Sequence, residues 1–290
     1  MLSRREMSAA NTVSMTNNIS RYCGGDDNAG RGCGECDTME TEKLITGKYA
    51  HDLWQRMIKG IAVYNLIEPG DNIAVCVSGG KDSMLLAKMM QMAASHQVYD
   101  IRILPIMLDA GFDKAHRDSV ITNCKKLGIE LNIISAPIFD DVKEAVKDGG
   151  SLCFFCSRMR RGYLYRKAAE LGCNKIALGH HRDDVIETTL MSMLYGAQIS
   201  TMLPKLKSDN VEGMQLIRPM YLIHEKNIIS WTNDMGLDFT KCSCSLTSIG
   251  KEEDTTRLRV KKLIAQLSIE NPHVKDNIFG SMQKYIEENM

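Results

Sequence analysis

Short apolar runs alternate with segments of helical periodicity through the middle of the chain, and this alternation constrains the fold more than any other feature. The runs NIAVCV (72–77), IRILPIMLD (101–109), LNIISAPI (131–138) and KIALGHH (175–181) have the length and composition of buried strands. Each run precedes a segment with helical spacing of apolar residues, one of which is closed by Gly128 as a C-terminal cap. The pattern predicts an α/β fold, a doubly wound and mostly parallel sheet.

The rest of the chain divides by composition. Residues 1–40 are rich in Ser, Asn, Gly and Asp and lack apolar periodicity, so we expect a flexible extension. We expect an N-terminal helix in 41–70, a nucleotide-binding sheet domain over 71–220, and a C-terminal helical segment over 221–290.

Charge and hydropathy exclude several classes of protein. The formal net charge is zero, so binding to nucleic acid would need a local basic patch. A run of about 18 apolar residues is absent, which argues against a membrane span, and the N-terminus lacks the apolar core of a secretory signal. We therefore expect a cytoplasmic protein with no membrane partner, and an organelle transit peptide is the less favoured interpretation of the N-terminus.

The loop SGGKDS, from Ser78 to Ser83, follows the first predicted strand and has the features of a phosphate site. Its adjacent glycines allow the backbone to approach an anion, and the next helix offers N–H groups at its positive end. Lys81 adds a charge, and the serines add hydroxyl donors. The spacing fits neither the Walker A nor the dinucleotide-binding pattern. The alternative is a glycine turn capped by Asp82.

A second polar motif, LGHHRDDVIET, follows the fourth predicted strand. Asp183 and Asp184 are four and three residues from Glu187, so the carboxylates share a helix face and could hold Mg²⁺ beside a phosphate loop. His180 and His181 would line the same rim; N-capping by the acids and burial of one neutral histidine are the alternatives. The residues expected at the carboxyl ends of the strands, where doubly wound sheets bind ligands, are Ser78–Ser83, Asp109 and His180–Asp184.

The chain has ten cysteines, and four of them have the spacing of metal ligands. Cys153 and Cys156 form a C-x-x-C pair, and Cys242 and Cys244 form a later C-x-C pair. Four thiolates would close a tetrahedral zinc site, whereas three would leave one corner of a [4Fe-4S] cluster open to carry an extra sulfide. Residue chemistry alone favours neither.

The other six cysteines fall into two groups. We expect those in predicted strands and helices to be small core residues; they are Cys76, Cys124 and Cys173. Those in the glycine-rich extension are expected to form no site, although metal ligation is the alternative; they are Cys23, Cys33 and Cys36.

Basic residues cluster directly after the C-x-x-C pair. Arg158, Arg160 and Arg161 lie in a segment without acids, and a second run from Arg257 to Lys262 lies near the end of the chain. Such runs are either solvated helix faces or contacts to the phosphates of a folded RNA. A cationic neighbourhood would also lower the pKa of nearby thiols.

Taken together, SGGKDS, C-x-x-C-S-R-M-R-R-G and G-H-H-x-D-D-x-x-E-T resemble the PP-loop ATP pyrophosphatase superfamily, and within it the tRNA 2-thiocytidine synthetase (TtcA-like) family. The resemblance extends through LIRPM, EKNI and KDNIFGSM and covers about residues 45–282. It implies the adenine nucleotide alpha-hydrolase-like fold and cleavage of ATP between its α and β phosphates. The implied ATP-binding residues are Ser78, Gly79, Gly80, Lys81, Asp82, Ser83, Asp109, Gly179, His180 and Asp184, with Mg²⁺ as counterion.

The resemblance also implies a reaction and its cofactor. ATP would adenylate the C2 oxygen of a cytidine in a tRNA anticodon loop, and sulfur would then displace AMP. The implied catalytic residues are Cys153, Cys156 and Asp183. A [4Fe-4S] cluster would be held by the C-x-x-C pair and either Cys242, which we favour, or Cys244, with zinc as the second choice.

The resemblance implies partners as well. They are tRNA, contacted by Arg158, Arg160 and Arg161, and a sulfur donor such as a cysteine desulfurase or sulfide. The oligomeric state is open, with a homodimer as one assembly. The alternative functions are a PP-loop enzyme that acts on another tRNA base or acceptor, and a non-catalytic nucleotide-binding metal or redox sensor.

Overall fold

The computed structural model describes residues 34–136, 152–208, 211–239 and 256–290, and the side chains of all of these except 34–37 and 152–158. The described chain begins with helix α1 (Gly34–Thr46), a π-helical turn (Ala50–Trp54) and helix α2 (Gln55–Val63). The expected boundary between residues 40 and 41 therefore falls inside α1, and the helical part starts earlier than the composition indicated. Cys23 and Cys33, in the expected extension, lie outside the described residues.

A single six-stranded sheet organises the described chain. Its strands are β1 (Asp71–Cys76), β2 (Ile101–Asp109), β3 (Asn132–Ser135), β4 (Lys175–Ala177), β5 (Lys205–Lys207) and β6 (Gln215–Ile217), in the order β3-β2-β1-β4-β6-β5. All neighbours pair in parallel except β5, which runs antiparallel to β6. The predicted α/β fold with a mostly parallel sheet is confirmed, although β5 and β6 were not anticipated.

Helices follow the strands and complete the layers. They are α3 (Lys81–Ser95), α4 (Lys114–Leu127), α5 (Leu152–Glu170), α6 (Arg182–Gly196), α7 (Glu225–Asp234), α8 (Thr256–Glu270), α9 (Val274–Ser281) and α10 (Gln283–Asn289). Gly128 caps α4 in the left-handed region with a φ of 64°, as predicted. None of the helices in the described residues is long and apolar enough to cross a membrane.

Alternate residues of β1 face two different layers, which is why the sheet is covered on both sides. Ile73 and Val75 belong to the core that α3 and the C-terminal helices share, where Val260 of α8 is buried. Ala74 lies in a second core with Ala168 of α5. The C-terminal helices therefore pack into the main core of the sheet, and the expected boundary near residue 220 does not separate two cores.

The strand order reverses direction at β1, which has β2 on one side and β4 on the other. Connections that leave neighbouring strands toward opposite faces open a crevice at the carboxyl ends of those strands. The SGGKDS loop follows β1, and the GHHRDD motif follows β4. The topology therefore brings the two motifs to one crevice.

Candidate functional site

The SGGKDS loop is held in shape by its own two serines. Ser83 Oγ accepts hydrogen bonds from the amide and the hydroxyl of Ser78, both at 3.1 Å, and donates to the carbonyl of Gly80 at 2.9 Å. The predicted hydroxyl donors are thus engaged within the loop. Their contacts fix the path of the backbone from β1 into α3.

The two glycines of the loop differ in what they require. Gly79 has a φ of +90°, and a Cβ there would stand 2.6 Å from Val120 and 3.0 Å from the ring of His116. Gly80 is extended, with φ −85° and ψ 160°, and a Cβ there would meet only Ser78 Oγ at 3.7 Å. Packing and strain explain Gly79, whereas nothing in the described fold requires a glycine at Gly80.

The amino end of α3 is uncapped. Among the described residues, no side chain caps this helix, although Gly80 occupies the N-cap position. Uncapped helix amides and the positive end of the helix dipole favour a phosphate group. The geometry fits the predicted phosphate-binding role of this loop.

Gly179 joins the second motif to the first. A Cβ at this position would stand 3.0 Å from the carbonyl carbon of Asp82 and 3.0 Å from the amide nitrogen of Ser83. Those atoms belong to the backbone of the first turn of α3 and cannot move independently. The glycine therefore lets the loop after β4 lie directly against the phosphate loop.

His181 and Asp184 form a capping box at the start of α6. His181 Nδ1 accepts from the amide of Asp184 at 3.4 Å, and Asp184 Oδ2 accepts from the amide of His181 at 3.0 Å. The capping alternative considered for the acids of this motif thus holds for Asp184. The other carboxylate oxygen of Asp184, Oδ1, takes no part in the capping box.

A cavity of about 440 Å³ opens beside the two motifs. Its lining comes from α3, α6, α7, α8 and the residue that precedes α6, and it is strongly charged. The lining residues are Lys81, Asp82, His181, Asp184, Glu187, Glu225, Arg257, Leu258 and Lys261.

Ion pairs link the lining residues across the cavity. Lys81 Nζ lies 3.1 Å from Asp82 and 3.2 Å from Glu225. Glu225 also accepts from Lys261 at 2.6 Å. Burial acts to lower the pKa of Lys81, but the carboxylates of Asp82 and Glu225 raise it overall. The ammonium therefore stays charged at the amino end of α3.

Arg257 bridges the acids of α6. Its guanidinium lies 3.1 Å from Asp184 Oδ1 and 3.6 Å from Glu187 Oε2, and it donates to the hydroxyl of Thr188 at 3.3 Å. Burial raises the pKa of Glu187 even though Lys261 and Arg257 act against it. Asp184 and Glu187 of α6 are therefore paired with a cation from α8.

The carboxylate of Asp82 is incompletely satisfied. Its Oδ1 is buried without a hydrogen-bond partner in the part of the chain that the structure describes. Burial raises the pKa of Asp82, although Lys81 lowers it. A carboxylate oxygen without a hydrogen bond, beside a predicted phosphate loop, is compatible with a cation that arrives with the ligand.

Two of the predicted acidic site residues, Asp109 and Asp183, do not line the cavity. Asp109 accepts from the amides of Gly111 and Phe112, both at 3.0 Å, and contacts Arg117. Burial would raise the pKa of Asp109, but these three donors lower it overall. Asp109 therefore shapes the turn after β2, and its predicted contact with ATP stays a prediction.

Asp183 is the other such residue, buried at the start of α6. One oxygen pairs with Lys275 of α9 at 2.6 Å, and the other accepts from the amide of Glu225 at 2.8 Å. The described contacts of Asp183 fix α7 and α9 against α6. Its predicted catalytic role stays a prediction.

His180, a predicted ATP-binding residue, is turned toward β6 rather than into the cavity. It accepts a hydrogen bond from Arg218, which also donates to the carbonyl of Leu203. Burial, followed by the charge of Arg218, lowers the pKa of His180 to about 4. Arg218 was not among the predicted site residues, although it lies in the LIRPM segment that the resemblance covers.

The side chains of all four predicted cluster ligands lie outside the part of the chain that the structure describes. Cys153 and Cys156 are in the first turns of α5, three residues apart. Cys242 and Cys244 lie outside the described residues. Cys124 and Cys173 are buried as predicted, whereas Cys76 is only partly buried.

The predicted magnesium site is not preformed. In the described ranges, no group of three or more His, Cys, Asp or Glu side chains is arranged to hold a metal ion. Mg²⁺ bound with a nucleotide usually keeps several waters and uses one or two carboxylates. The acids of the cavity are compatible with that mode, but not with a site built from Asp183, Asp184 and Glu187 together.

The basic residues after the C-x-x-C pair occupy different environments. Arg160 lies over the ring of Phe112, with 5.2 Å between its guanidinium carbon and the ring centroid, and Arg161 is exposed. The side chain of Arg158 is outside the described part. Contact of these three arginines with RNA stays a prediction.

Charged lining residues from the C-terminal helices were not predicted to belong to the cavity. Glu225 lies in the EKNI segment of the resemblance, and Arg257 and Lys261 belong to the second basic run. The one available signal was spacing, because Arg257 and Lys261 are four residues apart and share a helix face.

A family model and relatives of known activity match most of the chain. A model of the PP-loop domain family matches residues 53–248. A tRNA-cytidine(32) 2-sulfurtransferase of Ralstonia pickettii is 37% identical over 79% of this chain and 71% of its own length. The protein of that name from Legionella pneumophila strain Paris is 38% identical over 78% of each chain.

A solved structure supports the fold independently. The U34-tRNA thiolase NcsA from Methanococcus maripaludis, solved with its [4Fe-4S] cluster, has a TM-score of 0.64 and 21% identity over 92% of this chain and 86% of its own. At that identity the likeness concerns the fold alone.

Proposed function

The chain belongs to the PP-loop domain family and, within it, to the tRNA-cytidine(32) 2-sulfurtransferases, and from this we propose that it replaces the C2 oxygen of a cytidine in the tRNA anticodon loop with sulfur. The enzyme is an ATP-dependent tRNA sulfurtransferase. The observation that carries the proposal is the uncapped amino end of α3, which opens beside a charged cavity of about 440 Å³.

The first step transfers the adenylyl group of ATP to the base. The cytidine O2 attacks the α-phosphorus of ATP, the bond from that phosphorus to the bridging oxygen breaks, and the electron pair leaves with pyrophosphate. The amides of α3 and the ammonium of Lys81 bind phosphate oxygens and stabilise the developing negative charge. Because a stacked base cannot present its O2 in this way, the cytidine is splayed out of the loop.

The second step replaces oxygen by sulfur. A sulfur nucleophile attacks C2, the C2–O bond breaks, and AMP leaves with the oxygen. Cys153, Cys156 and one of Cys242 or Cys244 would hold the [4Fe-4S] cluster, which supplies activated sulfur when it is bound. A cysteine desulfurase or free sulfide serves as the sulfur donor.

The arginines after the C-x-x-C pair are the proposed RNA contacts. Arg161 is exposed on α5, and Arg160 lies over Phe112, just after the carboxyl end of β2. We assign to them and to Arg158 contacts with tRNA phosphates, which position the loop without reading its sequence.

Mass spectrometry of tRNA nucleosides tests the substrate. A deletion strain should lack 2-thiocytidine, and wild-type protein should restore it, whereas Lys81→Met should not. Lys59→Met is a matched control, since Lys59 is exposed on α2 and is not among the described residues that line the cavity. An unchanged 2-thiocytidine level in the deletion strain would refute the proposal, and loss of another thionucleoside would redirect it to another base.

Two further measurements separate the alternatives. The enzyme is expected to release pyrophosphate only when tRNA is present, whereas a nucleotide-binding sensor would bind ATP without releasing pyrophosphate. Anaerobic purification, an absorption spectrum and an iron count distinguish the cluster from zinc. A colourless protein with stoichiometric zinc would remove the iron–sulfur part of the proposal.

Light scattering of the same sample determines whether the protein is a homodimer.

A further inference from the structure

Helix α8 delivers two cations to the cavity from the C-terminal part of the chain. Arg257 and Lys261 are one helical turn apart and both line the cavity, together with Leu258. Their side chains retain 43% and 49% of their accessible surface. They are therefore reachable from the cavity rather than sealed in the core.

Stability alone does not account for these two positions. The two cations are about half exposed, although their carboxylate partners are largely buried, so water partly screens these ion pairs and reduces their contribution to folding. The buried apolar residues Val260 and Ile264 already anchor α8 in the core. The two cations thus stand on the cavity side of a helix that does not depend on them for its docking.

The charge of the cavity points to a missing ligand. Lys81, Arg257 and Lys261 share the lining with four carboxylates, those of Asp82, Asp184, Glu187 and Glu225. One oxygen of Asp82 accepts no hydrogen bond in the described part of the chain, and its contact there is with His181 Nε2 at 3.7 Å. An anion with a bound divalent metal ion would suit both the basic and the acidic residues of the lining. The basic side chains would contact the anion, and the carboxylates would face the metal ion.

We propose that Arg257 and Lys261 bind the β- and γ-phosphate oxygens of ATP and stabilise pyrophosphate as it leaves. The assignment rests on the proposed function and extends its phosphate site from α3 to α8. Arg257 now pairs with Asp184 at 3.1 Å and Lys261 with Glu225 at 2.6 Å. Exchange of these carboxylate partners for phosphate oxygens would need only side-chain movement, since both groups already face the cavity.

Binding measurements on the full-length protein test this assignment without a turnover assay. The variants are Arg257→Gln and Lys261→Gln, with Lys262→Gln as the neighbouring control on the exposed side of α8. Isothermal titration calorimetry gives the Kd for Mg-ATP and for AMP. Loss of one charge-assisted hydrogen bond should weaken ATP binding by at least about tenfold, whereas AMP, which lacks the β- and γ-phosphates, should change by less than about twofold.

Two controls keep the outcome unambiguous. Thermal unfolding shows whether each variant is folded, and Lys261→Arg should restore ATP affinity because it keeps the charge. If Arg257→Gln does not fold, Lys261→Gln carries the test.

The results also separate this assignment from the function on which it rests. Folded variants that bind ATP as the wild type does would overturn the assignment alone, and so would equal losses for ATP and AMP. A wild-type protein that binds no ATP would overturn the proposed function together with the assignment.

Discussion

Nε of Arg218 donates a hydrogen bond to Nδ1 of His180 over a distance of 3.2 Å. Because an arginine can only donate, Nδ1 is the acceptor, and the ring proton of a neutral His180 must sit on Nε2. Burial is the main cause that lowers the pKa of His180 to about 4, and Arg218 adds to it. His180 is thus a neutral donor with a fixed tautomer at neutral pH.

The Arg218→Met variant should raise the pKa of His180. The substitution removes a positive charge next to the ring, but burial remains, so the value should rise above about 4 and stay below the ordinary 6.5. NMR titration of the imidazole resonances measures it. Arg218→Lys keeps the charge and should hold the pKa low; equal values in wild type and Arg218→Met would show that burial alone sets it.

Alanine substitutions at the two loop glycines should separate folding from binding. Gly79→Ala should destabilise the protein by about 1–3 kcal/mol, because it forces a Cβ into Val120 and a side chain into positive φ. Gly80→Ala should leave stability within about 1 kcal/mol, since any residue adopts its backbone conformation. It should still weaken ATP binding by at least about tenfold if phosphate lies against the amides of α3.

Chemical denaturation and calorimetry measure the two effects of these glycine variants. A Gly80→Ala protein that binds ATP normally would contradict the placement of phosphate at this helix. A Gly79→Ala protein as stable as wild type would contradict the close contact with Val120.

Asp183→Asn and Lys275→Met test the predicted catalytic role of Asp183. Both variants break the 2.6 Å ion pair, but Lys275→Met leaves the carboxylate in place, and Asn can still accept from the amide of Glu225. If the negative charge serves the reaction, Asp183→Asn should lose at least about tenfold more thiolation than Lys275→Met, more than about 1.4 kcal/mol of transition-state stabilisation. Equal losses in the two variants, at matched folded fractions, would assign Asp183 to structure alone.

The pH dependence of stability should reflect Glu42, which links α1 to α3. A hydrogen bond from His96, together with the ammonium of Lys88, lowers the pKa of Glu42 to about 2, and the pKa of His96 is raised by the same contact. The Glu42 contribution is present above its ordinary pKa of 4.5 and disappears as pH falls from 4.5 toward 2. The His96 contribution is complete below 6.5 and disappears as pH rises through its folded-state pKa.

Thermal unfolding from pH 2 to pH 9 measures both limbs of the stability profile, the loss at acid pH and the loss at higher pH. Glu42→Gln should flatten them together, because it removes the partner of His96 and of the buried Lys88. Loss of only the acid limb would show that His96 titrates independently of Glu42.

The sequence predicts the sheet and the phosphate loop because both are local. Buried strands of six to nine residues, such as β1 and β2, carry a clear apolar pattern, and SGGKDS lies between one of them and a helix. β5 and β6 have three residues each, too few for any periodicity to stand out. Only the pairing with β4 makes β6 a strand.

The cavity could not be predicted as a whole because its charges look like solvent-exposed ones. Glu225 and Lys261 are hydrophilic residues on amphipathic helices, a pattern that indicates a surface. Their place in the site follows from the packing of α7 and α8 onto the sheet, which depends on residues far apart in the chain. The spacing also could not show that Asp183 turns away from Glu187 to hold Lys275 and the amide of Glu225.

The cavity draws its side chains from α3, α6, α7 and α8, segments that leave the ribosome at very different times. All six strands are synthesised before α7 begins, so a nascent chain has the residues of its sheet while Arg257 and Lys261 are still to be added. Under the assignment made above, such a chain would hold ATP weakly. Tight nucleotide binding would then wait for the synthesis of α8 and would not follow from the formation of the sheet alone, and ATP would selectively stabilise chains that include α8 over shorter ones.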